Sequence, residues 1–235
     1  MRTSKITLSS IIFFFFLISV SIAGGLPEIP KDCLKDRLYC SQTYVEKMMV
    51  KNVMRNVARI NVFAVLSKDD WESPNDVVHR FIDFDNWPAY AAYDGTNNIK
   101  IKRCFEMSPL FIGDTEIHRQ YLYLKAKAPA PIFYIKARSV VHYWLTKPIP
   151  GAHLSASFEQ QTNNTYVIPG EDILEGAEGI KYNSGEFHLR VDPVSGDYYL
   201  YFFALVVPEF DFLLKVAATH IELGYVSIFR GMFDL

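Results

Sequence analysis

The residues that could do chemistry in this sequence are scattered and form no recognised catalytic motif. The chain contains no G-x-S-x-G, no H-E-x-x-H and no glycine-rich phosphate loop, and its three cysteines include no C-x-x-C pair. Strand alternation puts His142 and His188 on outer faces, while His79 and His220 fall on helices, away from the main apolar stripe. We therefore expect no catalytic residues, no metal and no cofactor.

The first residues predict a secretory signal peptide. Arg2 and Lys5 precede an uncharged apolar run, and Ser21 and Ala23 are small residues at the positions that a signal peptidase recognises. We expect residues 1–23 to be removed, which gives a secreted or periplasmic protein. The alternative is an uncleaved membrane anchor, because the apolar run borders on spanning length.

Net charge and chain length limit the kind of partner and the number of domains. The full chain has a net charge of −2, and loss of Arg2 and Lys5 makes the mature chain more acidic. A nucleic acid partner is therefore not expected, since phosphate binding requires a basic stripe. The remaining length suits one domain with a sizeable core.

The cysteines allow one short cross-link. Cys33 and Cys40 lie seven residues apart near the mature N-terminus and could close a small loop in an oxidising compartment. Cys104 lies in a strand-like stretch and is expected to be a buried free thiol. The alternative is that all three cysteines stay reduced.

The region before residue 60 predicts an N-terminal extension, residues 24–59, that contains an amphipathic helix. Apolar side chains recur at helical spacing over 41–57. The methionine pair at Met48 and Met49 is expected to pack on the core of the protein, and the alternative is a surface that binds a ligand or makes transient membrane contact.

A strand over 60–67 is followed by a kinked pair of short helices. Ser73 is a good N-cap and Pro74 suits the first helical position. The pair Trp87-Pro88 predicts an extended step that ends the segment.

The rest of the chain predicts strands and then one helix. Apolar and polar residues alternate, or apolar runs lie between turn signals, over 98–107, 114–128, 132–146, 152–162, 186–192 and 196–208. The longest break, 163–179, is expected to be a surface loop. Over 208–233 the apolar residues return to helical spacing, which predicts a long C-terminal helix.

This order of elements resembles the START-related helix-grip superfamily, which includes polyketide cyclases and lipid-transfer domains. The local resemblance is carried by a signature of the form S-P-x-x-V…D-x-x-x-W-P, matched by Ser73, Pro74, Val77, Asp83, Trp87 and Pro88. It implies an α+β fold in which a curved antiparallel sheet of about six or seven strands wraps round the C-terminal helix. The helix-grip domain would span residues 60–235, with Trp87 as a plug at one corner.

In such a fold the space between sheet and helix is a cavity. The predicted lining comprises Phe133, Ile135, Val141, Tyr143, Phe158, Phe187, Leu189, Tyr198, Phe202, Leu213, Ala217, Ile221 and Tyr225. The alternative is a filled core without a cavity.

Three functions remain open at this point. The first is a non-catalytic carrier that binds a lipid or another hydrophobic small molecule. The second is a cyclase-like or aromatase-like enzyme, in which Tyr143, Tyr198, Tyr225 and Arg119 orient an enolisable substrate. The third is a protein-interaction module with a solid core, which docks through the N-terminal extension and the loop 163–179.

Overall fold

The fold was analysed in a computed structural model. It describes residues 25–30, 32–34, 38–93, 95, 98–127, 134–161, 180–208 and 214–235, with residues 134, 135 and 214–216 described by their backbone alone. The loop predicted over 163–179 and the predicted site residues Phe133 and Leu213 lie outside these ranges, as do residues 1–24.

The described chain forms one antiparallel sheet with three α-helices. The strands are β1 (Tyr39–Val50), β2 (Val53–Leu66), β3 (Ile99–Ile112), β4 (Thr115–Lys127), β5 (Tyr134–Thr146), β6 (Leu154–Gln160), β7 (Ile180–Val191) and β8 (Tyr198–Pro208). The helices are α1 (Pro74–Ile82), α2 (Trp87–Ala92) and α3 (Leu214–Phe233). The strand order is β1-β2-β8-β7-β6-β5-β4-β3, so the sheet has eight described strands where about six or seven were expected.

The α+β helix-grip prediction is confirmed. α3 packs on the concave face of the sheet, where Ala218 of α3 meets Ala58 of β2. Apolar residues of alternate strand positions line that face, as expected of a sheet covered on one side. Pro208 ends β8 rather than opening the helix, and the described part of α3 begins at Leu214.

The amphipathic helix predicted over 41–57 is wrong, because the segment is a β-hairpin. Strands β1 and β2 pair from Tyr39↔Ala64 to Val50↔Val53, so the boundary expected at residue 60 lies inside a strand. The two-residue turn is Lys51-Asn52, with φ angles of 49° and 63°. A two-residue turn with two positive φ angles matches the right-handed twist of the strands that it joins. Asparagine tolerates such angles well.

The kinked helix pair is present as predicted. The hydroxyl oxygen of Ser73 accepts a hydrogen bond from the backbone N–H of Asp76 at 3.4 Å, which caps α1. A 3-10 turn, Phe84–Asn86, joins α1 to α2. The extended step expected at Trp87 is absent, because Trp87 itself is helical with φ −54° and ψ −35° and Pro88 lies within the first turn, where proline is tolerated.

Asp83, at the C-terminal end of α1, fixes the kink by binding residues that follow it. Its carboxylate accepts hydrogen bonds from the Tyr90 hydroxyl at 2.7 Å and from the Asn86 amide at 2.9 Å. The Arg80 guanidinium also donates to the Tyr90 hydroxyl at 2.9 Å. Part of the signature thus acts in holding the two short helices at a fixed angle.

The sheet has two distinct ends. At the first, β2 and β7 begin and β4 and β8 end, as the register pairs Ala58↔Val206 and Ile180↔Pro208 require; we call this the entrance end. At the second, called the closed end, Phe233 of α3 packs on Trp71 with ring centroids 5.6 Å apart. α3 therefore runs from the entrance end to the closed end.

The N-terminal segment covers part of the convex face. Leu26, Ile29 and Cys33 pack against Phe63 and Tyr201, which project from the convex side of β2 and β8. A disulfide joins Cys33 to Cys40, with Cα atoms 5.4 Å apart. Cys104 is a buried free cysteine, as expected.

Candidate ligand-binding site

A cavity lies between the concave face of the sheet and α3. The cavity has a volume of about 70 Å³. One water requires about 10–15 Å³ on this measure, so the cavity can hold several waters or one compact molecule. Its wall is formed by Phe81, Trp87, Ile99, Leu122, Leu124, Ala126, Lys127, Val141, Tyr143, Phe158, Ile180, Asn183, Phe202, His220, Ile221, Gly224, Tyr225, Ile228 and Phe229.

The wall nearest the closed end is aromatic and fully buried. The rings of Phe158 and Phe202 stack with an interplanar angle of 5° and centroids 5.5 Å apart, and Tyr143 stacks on Phe158 at 5.6 Å. Phe81 brings α1 onto this group, 5.1 Å from Phe187. Aromatic rings in such contact hold one another in place beyond the effect of area burial.

A glycine permits this stack. A Cβ at Gly185 of β7 would overlap the backbone of Phe203 and the ring of Phe158. The missing side chain lets the Phe158 ring lie flat across the neighbouring strand, where it reaches Phe202. The aromatic wall therefore depends on a residue that contributes no side chain to it.

The wall nearest the entrance end is half-buried and carries polar groups. The Tyr225 hydroxyl donates a hydrogen bond to the Asn183 side-chain oxygen at 2.9 Å. His220 of α3 and Lys127 at the end of β4 also contribute to this wall. Burial raises the pKa of Tyr225, although the bond to Asn183 acts in the opposite direction, so its hydroxyl stays protonated at neutral pH.

A second polar chain is buried deeper. The Tyr143 hydroxyl donates to the Gln120 side-chain oxygen at 2.7 Å, and the Gln120 amide donates to the Cys104 sulfur at 3.2 Å. Burial raises the pKa of Cys104 to about 12 and raises the pKa of Tyr143 well above its ordinary value. Both groups are therefore neutral at physiological pH, and the thiol is not a nucleophile in this setting.

Six of the predicted site residues line the cavity: Val141, Tyr143, Phe158, Phe202, Ile221 and Tyr225. Phe187, Leu189, Tyr198 and Ala217 are buried in the packing around the cavity and are not among its wall residues. Ile135 is described by its backbone alone. That the six contact a ligand stays a prediction.

The sequence reasoning missed the contributions of α1, α2, β3 and β4. Phe81 and Trp87 belong to the wall, as do Ile99, Leu122 and Leu124. The sequence predicted a strand over 114–128, but that signal could not say which of its side chains face a void. Trp87 acts both as the expected corner plug, since its indole N–H donates to the Phe81 carbonyl at 3.2 Å, and as a wall residue.

The polar set proposed for an enzyme does not converge. Tyr143 and Tyr225 reach the cavity, but the Tyr198 hydroxyl points to the Trp71 carbonyl at 3.5 Å. Arg119 donates to the Ser108 carbonyl at 3.2 Å in an exposed position. Two of the four residues are thus directed elsewhere, and neither tyrosine is positioned with a partner that could take its proton.

A serine–histidine–glutamate cluster lies on the convex face. The Ser155 oxygen is 2.8 Å from His188 Nδ1, and His188 Nε2 is 3.2 Å from a Glu186 oxygen. Ser155 and His188 are each 1% exposed, and the serine oxygen also accepts the Ile149 N–H at 3.3 Å. His188 lies on the outer face as predicted, but it is buried there, and the cluster has no room for a substrate.

Within the described ranges, no group of three or more His, Cys, Asp or Glu side chains is arranged to hold a metal ion. No helix in the same part of the chain combines the length and apolar character needed to cross a bilayer.

No protein-family model matches the sequence, and a comparison with curated proteins finds no match. The fold is similar to several solved structures. A STAR-related lipid transfer protein from Xanthomonas axonopodis is 15% identical with a TM-score of 0.48, over 82% of this chain and 97% of that one. Human STARD10 is 9% identical with a TM-score of 0.48, over 90% and 81%. The di-domain ARO/CYC StfQ from the steffimycin biosynthetic pathway is 10% identical with a TM-score of 0.38, over 76% and 50%.

The predicted helix-grip fold is confirmed by the structure itself. Its evidence in this chain is the curved antiparallel sheet that grips α3 and the kinked helix pair between β2 and β3.

Proposed function

We propose that this protein binds a compact hydrophobic molecule in the cavity between the sheet and α3 and acts as a carrier. The observation that supports this proposal is the cavity itself, whose wall is aromatic and aliphatic at one end and carries a few polar groups at the other. Concave apolar sites with few polar groups are typical of small-molecule binding, and affinity comes from apolar area removed from water.

The size of the cavity restricts the ligand. A volume of about 70 Å³ suits a compact aromatic molecule or a short chain better than a lipid with two long acyl chains. The Tyr225–Asn183 pair at the entrance end suits a single polar group on that ligand. The expected ligand is therefore small and amphipathic, with its apolar part directed towards Phe81 and Phe158.

A carrier function is favoured over catalysis by the state of the tyrosines. Tyr143 and Tyr225 both have a raised pKa because of burial, and each hydroxyl donates a hydrogen bond to a side-chain amide oxygen. A general base requires a pKa near the working pH and an acceptor facing the substrate. Neither hydroxyl meets these requirements.

The proposed location is outside the cytoplasm, after removal of residues 1–23. The Cys33–Cys40 disulfide fits an oxidising compartment. Intact mass measurement of protein recovered from the culture medium or periplasm tests this. We expect a chain that begins at Gly24, and a chain that retains residues 1–23 in the membrane fraction would support the anchor instead.

Binding is tested with the neutral apolar dye N-phenylnaphthylamine, together with native mass spectrometry of the purified protein. A leucine at Gly224 would fill the cavity, since the nearest described atom to a Cβ there is Ile99 Cδ1 at 3.6 Å. We expect Gly224→Leu to weaken dye binding about tenfold or more, because side chain and dye compete for one space. Leu223→Ala, at an exposed position of the same helix, is the control and should bind as the unmodified protein does.

A folded protein that brings no apolar molecule through purification and does not enhance dye fluorescence would contradict the proposal. Equal dye binding by Gly224→Leu and the unmodified protein would place the dye elsewhere and would contradict the assigned site.

A further inference from the structure

The tip of the β1–β2 hairpin exposes large apolar side chains. Met49 and Met54, which pair across the two strands, are 54% and 57% exposed. Val53 is 48% exposed and Val45 is 37% exposed. These four residues, here called the tip patch, surround the turn, and Val45, Met49 and Met54 share one face of the hairpin because they occupy alternate or paired positions.

Basic residues are interleaved with the tip patch. Residues 45–59 contain Lys47, Lys51, Arg55 and Arg59 against one acid, Glu46, so the hairpin is positive in a chain whose net charge is −2. Glu46 lies 2.7 Å from Arg59, and Glu159 of β6 lies 3.8 Å from Lys51. The excess positive charge of the hairpin is therefore carried by Lys47 and Arg55. Lys47 is exposed and lies between Val45 and Met49 on their face of the strand.

The tip patch lies at the entrance end. β2 begins beside the end of β8 and the start of β7, where the half-buried cavity residues Ile180 and Asn183 are also found. Ala58 of β2 contacts Ala218 in the first turns of α3. Any surface that receives the tip patch is therefore brought close to the cavity.

We propose that the tip patch docks on an anionic lipid surface and presents the entrance end of the cavity to it. This inference rests on the proposed function, because docking here would shorten the path of an apolar ligand between bilayer and cavity. Methionine and valine side chains can enter the interfacial region, and each nearby lysine or arginine adds attraction to anionic lipid. Flexible methionines suit a fluid surface, which offers no fixed partner shape.

The β3–β4 hairpin provides an internal control. Leu110, Phe111 and Ile112 are 40%, 67% and 50% exposed at its tip, so its apolar exposure is similar. Asp114 lies in its turn and Glu116 follows shortly after. The hairpin lies at the closed end, since β3 runs away from Ile99. Acidic residues repel an anionic surface, so this hairpin is not expected to dock on one.

The test is co-sedimentation of the full mature chain with phosphatidylcholine vesicles, with and without phosphatidylglycerol. We expect binding to the vesicles that contain phosphatidylglycerol, weakened by added salt. The double variant Met49→Ser/Met54→Ser should bind the vesicles at least about tenfold more weakly, because two apolar anchors are lost. Lys47→Glu should weaken binding about tenfold, and the control Phe111→Ser should leave it unchanged.

Each other outcome decides against docking. Equal binding by the double variant and the unmodified protein would overturn the proposal, and so would stronger loss in Phe111→Ser. If the unmodified protein is a dimer that the double variant converts to a monomer, without vesicle binding by either, the tip patch is an interface between copies. Thermal unfolding of each variant confirms that the fold is retained.

Failure of docking can be separated from failure of ligand binding. A protein that binds N-phenylnaphthylamine in solution but sediments with no vesicle contradicts docking and leaves the carrier function standing. A protein that sediments with vesicles but binds no apolar molecule contradicts the carrier function and leaves the docking surface standing.

Discussion

The two ends of the sheet differ in how closely their side chains are packed. At the closed end, Phe81, Trp87, Phe229 and Phe233 are each less than 7% exposed, and the kinked helix pair packs directly on α3. At the entrance end the cavity wall is half-buried, carries Tyr225 and Asn183, and lies beside an exposed basic hairpin. Close packing at one end stabilises the fold, and looser packing at the other leaves space beside α3, where we propose that a ligand enters.

This comparison predicts that equivalent substitutions have unequal effects at the two ends. Changes at the closed end should lower stability, whereas changes at the entrance end should alter binding with little loss of stability.

The largest effect is expected for Phe81→Ala. The Phe81 ring has aromatic neighbours at centroid distances from 5.1 Å (Phe187) to 6.2 Å (Phe229), and its loss would enlarge the cavity. We expect the free energy of unfolding to fall by about 3–5 kcal/mol in urea denaturation. Phe111→Ala, at the exposed tip of the β3–β4 hairpin, should change it by less than about 0.5 kcal/mol. Similar losses at both positions would mean that Phe81 is not part of a closely packed core.

The next largest difference in stability is expected between substitutions of two glycines of α3. A Cβ at Gly231 would overlap the backbone of Tyr90, whereas the nearest atom to a Cβ at Gly224 is Ile99 Cδ1 at 3.6 Å. Alanine is favoured over glycine inside a helix by about 1 kcal/mol, so Gly224→Ala should be tolerated or stabilising. Gly231→Ala should cost about 1–3 kcal/mol, because α2 must move away. Thermal unfolding followed by circular dichroism measures both, and a stable Gly231→Ala would contradict the tight contact between α2 and α3.

A smaller difference is expected between two tyrosines. Tyr143→Phe would leave the fully buried Gln120 oxygen without its donor, at a cost of about 1–3 kcal/mol. Tyr225→Phe would remove the bond to the half-buried Asn183, at a cost of about 0.5–1.5 kcal/mol. Chemical denaturation of the two variants side by side gives the difference. The reverse order would show that the entrance end is the better packed region.

The smallest expected effect is a loss of stability on ionisation of Tyr225, which is absent at neutral pH and occurs only at alkaline pH. Burial raises the pKa of Tyr225 in the folded protein above the ordinary tyrosine value of about 10. The stability that depends on the protonated hydroxyl is therefore complete below pH 10 and is lost as the pH rises towards the folded-state pKa. The melting temperature of the unmodified protein should fall more steeply above pH 10 than that of Tyr225→Phe. Parallel curves for the two proteins would show that this hydroxyl is not buried.

The fold was largely predictable because its elements carry local signals. Strand alternation identified β4 and β5, and Ser73 with Pro74 marked the start of α1, since capping and side-chain alternation act over a few residues. The β1–β2 hairpin was missed because Val45, Met48, Met49 and Val53 fit a helical stripe. The hairpin instead places Val45 and Met49 on one face and Met48 and Val53 on the other, which local spacing cannot distinguish from a helix.

The candidate site was predictable only in part. Val141 and Phe187 both lie at inward strand positions, yet Val141 faces the cavity and Phe187 packs against Phe81. A void depends on how all the neighbouring side chains fill the space, so it cannot be predicted from any single position in the sequence. Phe81 and Trp87 joined the wall through the placement of α1 and α2, which a strand pattern does not contain.

By itself, the sequence determined the alternation of strands, the capped kink after β2 and the apolar periodicity of α3, because each follows from interactions between residues close along the chain. Only the tertiary structure decided that residues 39–66 pair as a hairpin, that a space remains between sheet and helix, and that the two ends differ. Those features depend on contacts between distant segments, such as Gly231 on Tyr90 and Gly185 under Phe158, and therefore on the whole chain at once.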